Sequence, residues 1–311
     1  MKKVLKLERN RKSITLLDNL LYSTTKDSSG NERKLYLSMM LQHGNVESRL
    51  ANGLKPDGFK SEERKPVIIF VPGGGYRGSD KNLMVPEMVF MAEAGFAVAS
   101  IYYRSSSEHV FPAQIEDVLT AVRFLKANAD QYGLDRNQIG VMGRSAGGHL
   151  AALAGMNLTE YDTKEWNEYS SEVQAVCDWF GPVDVPALIE KEREAIKSNP
   201  DYRWKTLEET HPGALMGGDP ETMAMRSVEA SPPYRITSRA CPILIMHGDQ
   251  DRHVPVGVSE MFYEKLVEAG LEDQTEYYII QGGNHGSDEF FQPEAKEIVL
   301  EFFQKRLKKS E

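Results

Sequence analysis

"GRSAGGHL", residues 143–150, sets one serine between glycines two positions away on either side, with Ala146 and Gly148 close behind. Two readings compete. Glycines let a helix pack close against a sheet. Alternatively, the backbone turns so sharply at Ser145 that larger neighbours would clash, and the turn serves to present the hydroxyl. The flanking segments favour the second reading. "QIGVM" (138–142) is a short apolar run of strand type, and "AGGHLAALAG" (146–155) is an apolar helix pattern. Strand, tight turn and helix form the context in which G-x-S-x-G lifts a serine to the C-terminal edge of a sheet. There it stands over a helix N-terminus, where the dipole and the Ala146 N–H favour negative charge.

Outward from this turn the chain repeats one unit. "PVIIFV" (66–71), "FAVASIYY" (96–103), "VQAVCDWF" (173–180), "CPILIMHG" (241–248) and "TEYYIIQG" (275–282) read as further buried strands. Helical patterns separate them. In "IEDVLTAVRFLKANADQYG" (115–133), Ile115, Val118, Leu119, Val122 and Leu125 share one face, and Gly133 is placed to stop the helix. Val258, Met261, Phe262 and Leu266 do the same before Gly270, and a last helix starts at Pro293. Alternating strands and helices predict an α/β fold, a mostly parallel sheet covered on both faces. "SITLLDNLLY" (13–22) and "RKLYLSMMLQ" (33–42) predict an antiparallel N-terminal pair. The expectation is one domain over 1–311, with N-terminal strands and a loop in 1–65. A charged segment at 184–234, carrying Tyr202 and Trp204, breaks the rhythm and reads as a helical lid insertion.

Composition bounds the partners. A formal net charge of −9, with no basic block beyond "KRLKK" at 305–309, argues against nucleic acid. Cys177 and Cys241 sit in apolar runs and read as buried thiols of a reducing, cytoplasmic compartment. The N-terminal "MKKVLKLERNRKS" has no apolar core after its basic residues, and no span of about 18 apolar residues follows, so neither a signal peptide nor a membrane span is expected. Oligomeric state is open, and a homo-oligomer is compatible with the sequence.

A second glycine motif, "VPGGGYRGSDK" (71–81), fits G-x-G-x-x-G at Gly73, Gly75 and Gly78, the dinucleotide fingerprint. Pro86 would then fall inside the helix that fingerprint opens, where it costs about 3 kcal/mol. Asn82 as cap, with Pro86 in the first turn, fits better and leaves 73–83 as a loop. The next strand ends "SIYYR", with no acid to hold a ribose. The same glycines can instead aim N–H groups into a cavity and stabilise a developing oxyanion. That use needs a nucleophile, which Ser145 supplies, and a base to take its proton.

Of seven histidines, His285 in "QGGNHGSDE" (281–289) follows the last strand on a glycine-rich loop that can bring an imidazole over the sheet edge. His149 reads as packed and His247 as structural, while His43, His109 and His211 have no acid placed to orient them. "HGDQDRHVP" (247–255) offers Asp249 or Asp251 as the acid. D-x-D-x-H, with His253, is also a weak metal pattern, but no second ligand group supports it.

These segments together resemble the α/β-hydrolases. The chain is similar to the bacterial carboxylesterase group that includes hormone-sensitive-lipase-like and acetyl-xylan (feruloyl) esterase-like proteins. "GRSAGGHLAA" matches the nucleophile elbow, "EHVFPAQIEDV" (108–118) the helix leading to it, "HGDQDRHVP" the acid loop and "GGNHG" the histidine loop. The resemblance implies a triad Ser145, Asp251 and His285, because the family's acid follows its strand as H-G-x-x-D; Asp249 is left to hydrogen-bond its own turn. It implies Gly74, Gly75 and Ala146 as oxyanion donors. Pro72 stands where the lipase-type loop carries histidine, as in the acetyl-xylan esterase-like branch. The implied activity is hydrolysis of short-chain, acetyl-type esters of small molecules or carbohydrates, with no cofactor and no metal. A related amidase, formamidase or small peptidase would use the same triad, and some proteins of this fold are catalytically dead binding proteins.

Overall fold

The protein is described by a computed structural model at residues 1–6, 13–43, 64–78, 80–218 and 220–307. The strands are β1 (Ser13–Lys26), β2 (Glu32–His43), β3 (Lys65–Val71), β4 (Ala97–Ile101), β5 (Leu134–Arg144), β6 (Ala175–Trp179), β7 (Ile243–Gly248) and β8 (Thr275–Ile280). The helices are α1 (Val89–Glu93), α2 (Ala113–Ala127), α3 (Ala129–Tyr132), α4 (Ala146–Gly155), α5 (Val185–Ser198), α6 (His211–Met216), α7 (Pro220–Glu229), α8 (Gly257–Glu268) and α9 (Pro293–Leu307).

The six apolar runs are strands because alternate side chains feed two cores. On β3, Val67, Ile69 and Val71 join one cluster with α2 and α4, while Ile68 and Phe70 join the other with α1 and α9. The sheet order is β1-β2-β4-β3-β5-β6-β7-β8. All pairs from β4 to β8 are parallel; β2 runs against both β1 and β4. This is the expected α/β architecture with its antiparallel N-terminal pair. The order reverses at β3, whose neighbours are β4 and β5. Such a switch point opens a crevice at the C-terminal strand ends. Register pairs Val71 with Gly143, so the loop after β3 and the turn after β5 leave the sheet side by side.

Two local expectations change. Asn82 does not cap a helix: its side chain bonds Ser38 and Asp18, and a 3-10 turn opened by Pro86 leads into α1. Helix α2 buries more than its apolar face, because Gln114, Asp117, Thr120, Arg123 and Lys126 are buried too. The hairpin and the 158–172 segment cover that side. Tyr22 and Trp166 pack on Phe124, Arg123 pairs with Asp162, and Lys126 donates to the Glu172 carbonyl. The loop expected from His43 to Lys65 lies largely outside the described residues. Cys177 and Cys241 are free and buried. Among the described residues no helix is long and apolar enough to cross a membrane.

Candidate active site

Ser145 links β5 directly to α4, with φ 53° and ψ −125°. A non-glycine residue at positive φ is costly and persists only where its surroundings hold it. Here the Ser145 N–H donates to the Trp179 carbonyl at 2.9 Å, and its own carbonyl accepts the His149 N–H at 3.0 Å. The flanking glycines serve both purposes weighed from the sequence. A Cβ on Gly143 would meet the Gly147 carbonyl oxygen at 2.0 Å, so that position is reserved by the turn. One on Gly147 would meet the Val71 oxygen at 1.9 Å, so that position is reserved by helix–sheet packing.

Three strands deliver the other groups. His285 follows β8, and its Nε2 lies 2.9 Å from Ser145 Oγ. Asp251 follows β7, and its Oδ2 lies 2.7 Å from His285 Nδ1. The carboxylate side chain is wholly buried. Burial would raise its pKa. Hydrogen bonds from His247 and His285, the charge of His285 and the Val254 N–H outweigh burial and hold it well below the usual carboxylate range. An ionised Asp251 accepts the hydrogen bond of Nδ1–H, which leaves Nε2 to accept from the serine hydroxyl. Phe180, after β6, sets its ring 4.7 Å from the imidazole centroid.

The two aspartates of the acid loop divide differently from the sequence expectation. Asp251 uses Oδ1 for its own turn, accepting the N–H groups of His253 and Val254 at 2.8 and 2.9 Å. Asp249 instead accepts the Gly282 N–H at 2.8 Å, tying this loop to the one that carries His285. The reason is the pairing of β7 with β8, which brings the two loops into register at Gly248 and Ile280.

Gly74, Gly75 and Ala146 line one cavity of about 480 Å³ together with Ser145 and His285. The glycine loop is tied from below. The Tyr103 hydroxyl donates to the Pro72 carbonyl at 3.0 Å, and the Ser106 N–H donates to the Tyr76 carbonyl at 2.6 Å. Tyr76 Oη sits 2.9 Å from His149 Nδ1, and His149 Nε2 donates to the Ala230 carbonyl at 2.6 Å. Burial pushes His149 down to about 4, so it is the neutral tautomer that accepts from Tyr76.

Sequence reasoning missed five contributors. His247 is structural as expected, but it supports the acid: its Nε2 lies 3.3 Å from Asp251 Oδ2 and 3.0 Å from the Val254 carbonyl, with Ser259 Oγ 2.7 Å from Nδ1. His211, set aside for lack of an acid, lies against the glycine loop. A Cβ on Gly75 would meet its ring at 2.5 Å, and its Nδ1 is buried without a hydrogen-bond partner among the described residues. Arg77 ties the same two segments, donating to the Glu209 and Thr210 carbonyls. The Trp204 ring packs against the guanidinium groups of both Arg77 and Arg203, at 5.0 and 4.9 Å from its centroid. The fifth is Arg144, which lines the cavity beside Ser145. No sequence signal marked the contacts of His211, Arg77 and Arg144, which join segments distant along the chain, whereas His247 stands only four residues before Asp251. His109 bonds the Val110 carbonyl and is not in the cavity wall; the side chain of His43 is outside the described residues. Residues 184–234 form α5, α6, α7 and two 3-10 turns, and supply Val185, Leu188, Glu192, Arg203, His211, Pro212 and Leu215 to the wall.

Residues 56–266 match the BD-FAE family. The chain is 35% identical over 226 residues to esterase LipC of Mycobacterium tuberculosis, covering 72% of this chain and 53% of that protein. It is 32% identical over 206 residues to a probable carboxylic ester hydrolase, LipM, of the same organism, covering 65% and 44%. Thus the chain spans about half the length of the curated relatives it matches. A solved structure described as a truncated carbohydrate esterase from gut microbiota is 27% identical, with a TM-score of 0.74 over 95% of this chain and 97% of that one.

Proposed function

The chain belongs to the BD-FAE family of α/β-hydrolases, and from that premise we propose that it is a serine carboxylesterase acting through Ser145, His285 and Asp251. The observation that carries the reading is the continuous relay from Ser145 Oγ through His285 to the buried Asp251, opening on a cavity walled by the glycine loop. Ser145 attacks the ester carbonyl while His285 Nε2 accepts its proton; Asp251 holds the tautomer and stabilises the imidazolium. The N–H groups of Gly74, Gly75 and Ala146 receive the oxyanion. The tetrahedral intermediate collapses, His285 protonates the leaving alkoxide, and the acyl group stays on Ser145. Water, deprotonated by His285, then attacks the acyl-enzyme and releases the acid and free serine.

The substrate class is a small-molecule or carbohydrate ester with a short acyl group. A carbohydrate esterase among the structural neighbours supports the alcohol part, and the P-G-G-G-Y loop supports the acyl part. We expect a single domain, with 184–234 acting as a lid over the cavity. The test has two arms. Ser145→Ala is expected to fold normally and to lose at least about 10³-fold in kcat on aryl esters. The wild type is expected to be labelled by a serine-directed phosphonate and to show higher kcat/KM on acetyl than on decanoyl esters. Retained activity in Ser145→Ala overturns the nucleophile. Absence of labelling favours a binding protein, and faster turnover of anilides than of esters favours an amidase.

A further inference from the structure

Arg144 stands immediately before the nucleophile, half-buried in the cavity wall. No carboxylate among the described residues pairs with it. Its Nη1 lies 3.2 Å from Met84 Sδ, and its guanidinium carbon is 5.8 Å from the centroid of the Phe180 ring. The backbone of Gly286 closes a third side, where an added Cβ would come within 2.7 Å of Nη2. Nη1 donates only to a thioether, and among the described residues the other donors have no strong acceptor.

That is an unusual state for an arginine in this molecule. Arg104 is buried on Asp117 and Glu116, at 2.7 and 3.0 Å, and Arg123 is buried on Asp162 at 3.0 Å. A guanidinium that loses water without gaining an anion is destabilised, and an anion arriving from outside would relieve that cost. The acids that reach the cavity are already engaged: Glu192 accepts from the Tyr202 hydroxyl at 2.8 Å, and Asp80 accepts the Asn82 N–H at 2.8 Å. Across the cavity, Arg203, His211 and His253 add donors.

We propose that the ester accepted by this site carries a carboxylate, and that Arg144 binds it beside the reacting carbonyl. The inference rests on the esterase reading and narrows its substrate class. One guanidinium fork matches one planar carboxylate and neutralises one charge, whereas a phosphate dianion would demand more cations at that wall. The carboxylate could belong to the acyl part, as in a dicarboxylic hemiester, or to the alcohol part, as in a hydroxy acid.

The test compares matched esters on the full chain. For the acyl part, mono-4-nitrophenyl succinate is set against 4-nitrophenyl butyrate. For the alcohol part, 4-acetoxybenzoate is set against 4-acetoxybenzamide. In at least one pair the charged ester is expected to have about tenfold or greater kcat/KM, and the pair that responds identifies the source. Arg144→Met should abolish that ratio and Arg144→Lys should restore part of it. A ratio near one in both pairs overturns the inference, as does a ratio that survives in Arg144→Met. Loss by Arg144→Met of equal size on charged and neutral esters also overturns it, because the guanidinium would then serve the transition state of any ester. A binding arm needs no turnover. Calorimetry on Ser145→Ala should give a Kd at least about tenfold lower for a charged ester than for its neutral partner, and equal Kd values in both pairs overturn the inference. Hydrolysis of neutral esters without charge preference leaves the esterase reading intact. Binding preference without any turnover would sink the esterase reading alone.

Discussion

Asp251 divides its two oxygens between function and folding. Oδ2 faces His285 and His247, and Oδ1 binds two N–H groups of its own turn. Asparagine can keep the turn but presents the wrong partner to Nδ1, so Asp251→Asn is expected to lower kcat by up to about 10⁴-fold. Asp249→Asn touches only the link to Gly282 and should act mainly on stability. Kinetics of the two purified variants check this, and a reversed order would reassign the acid. Asp178 is a second buried carboxyl, under the elbow, with one oxygen on the Gly181 N–H and the other unpartnered. Burial raises its pKa from 3.8 to about 7, against the opposing charge of His247 and that hydrogen bond. Between those values the native state keeps a proton that the unfolded chain has lost, so stability falls as pH rises through the window and levels off above about 7. Asp178→Asn cannot ionise. From pH 5 to pH 8 the Tm of the wild type should therefore fall by about 2 °C or more relative to that of Asp178→Asn. Parallel pH profiles in scanning calorimetry would contradict it.

At the scale of elements, the glycine loop after β3 and the insertion between β6 and β7 act on one another. His211, at the start of α6, presses its ring on Gly75, whose φ is +58°. An alanine there is strained in its backbone and collides with the ring, so the loop must move. Gly75→Ala is expected to lower kcat at least about tenfold while KM changes less, since a displaced N–H is missed most in the transition state. Steady-state kinetics on aryl acetates test it, and unchanged kcat would mean that Gly75 is no donor. The strand–turn–helix unit around Ser145 was legible in the sequence because it is local: period, breaker and small residues lie within about twenty positions. His211 and Trp204 were not, because their partners Gly75 and Arg77 lie more than a hundred residues away along the chain.

Across the whole molecule, the hairpin β1–β2 extends the sheet and covers the polar side of α2. Tyr22 is 1% exposed, donates to the Tyr102 carbonyl at 2.6 Å and packs on Phe124. Tyr22→Ala should cost about 3–5 kcal/mol, as other large aromatic truncations do. If the hairpin belongs to one cooperative unit, that loss will appear as a shift of a single urea transition followed by fluorescence and circular dichroism. A separate early transition in Tyr22→Ala would mark the hairpin as an independent layer.

What the sequence determined alone was everything carried by local period and spacing. Continuous apolar runs mean strands buried on two faces at β3 to β7, whereas the run at β8 became an edge strand that leaves Tyr278 and Ile279 exposed. Glycines around Ser145 mean a turn with no room for side chains. Chain order placed Asp251 and His285 after successive strands. Tertiary structure decided which of these groups meet. The strand order puts β3 beside β5 and β7 beside β8, so loops far apart in the chain share one sheet edge. It also decided that His247 backs Asp251, that His211 braces Gly75 and that Arg144 faces the cavity with no carboxylate paired to it among the described residues. Period and turn chemistry are written in neighbouring residues, whereas hydrogen bonds and charge pairs act over about 3 Å in space, a distance that only the folded chain defines.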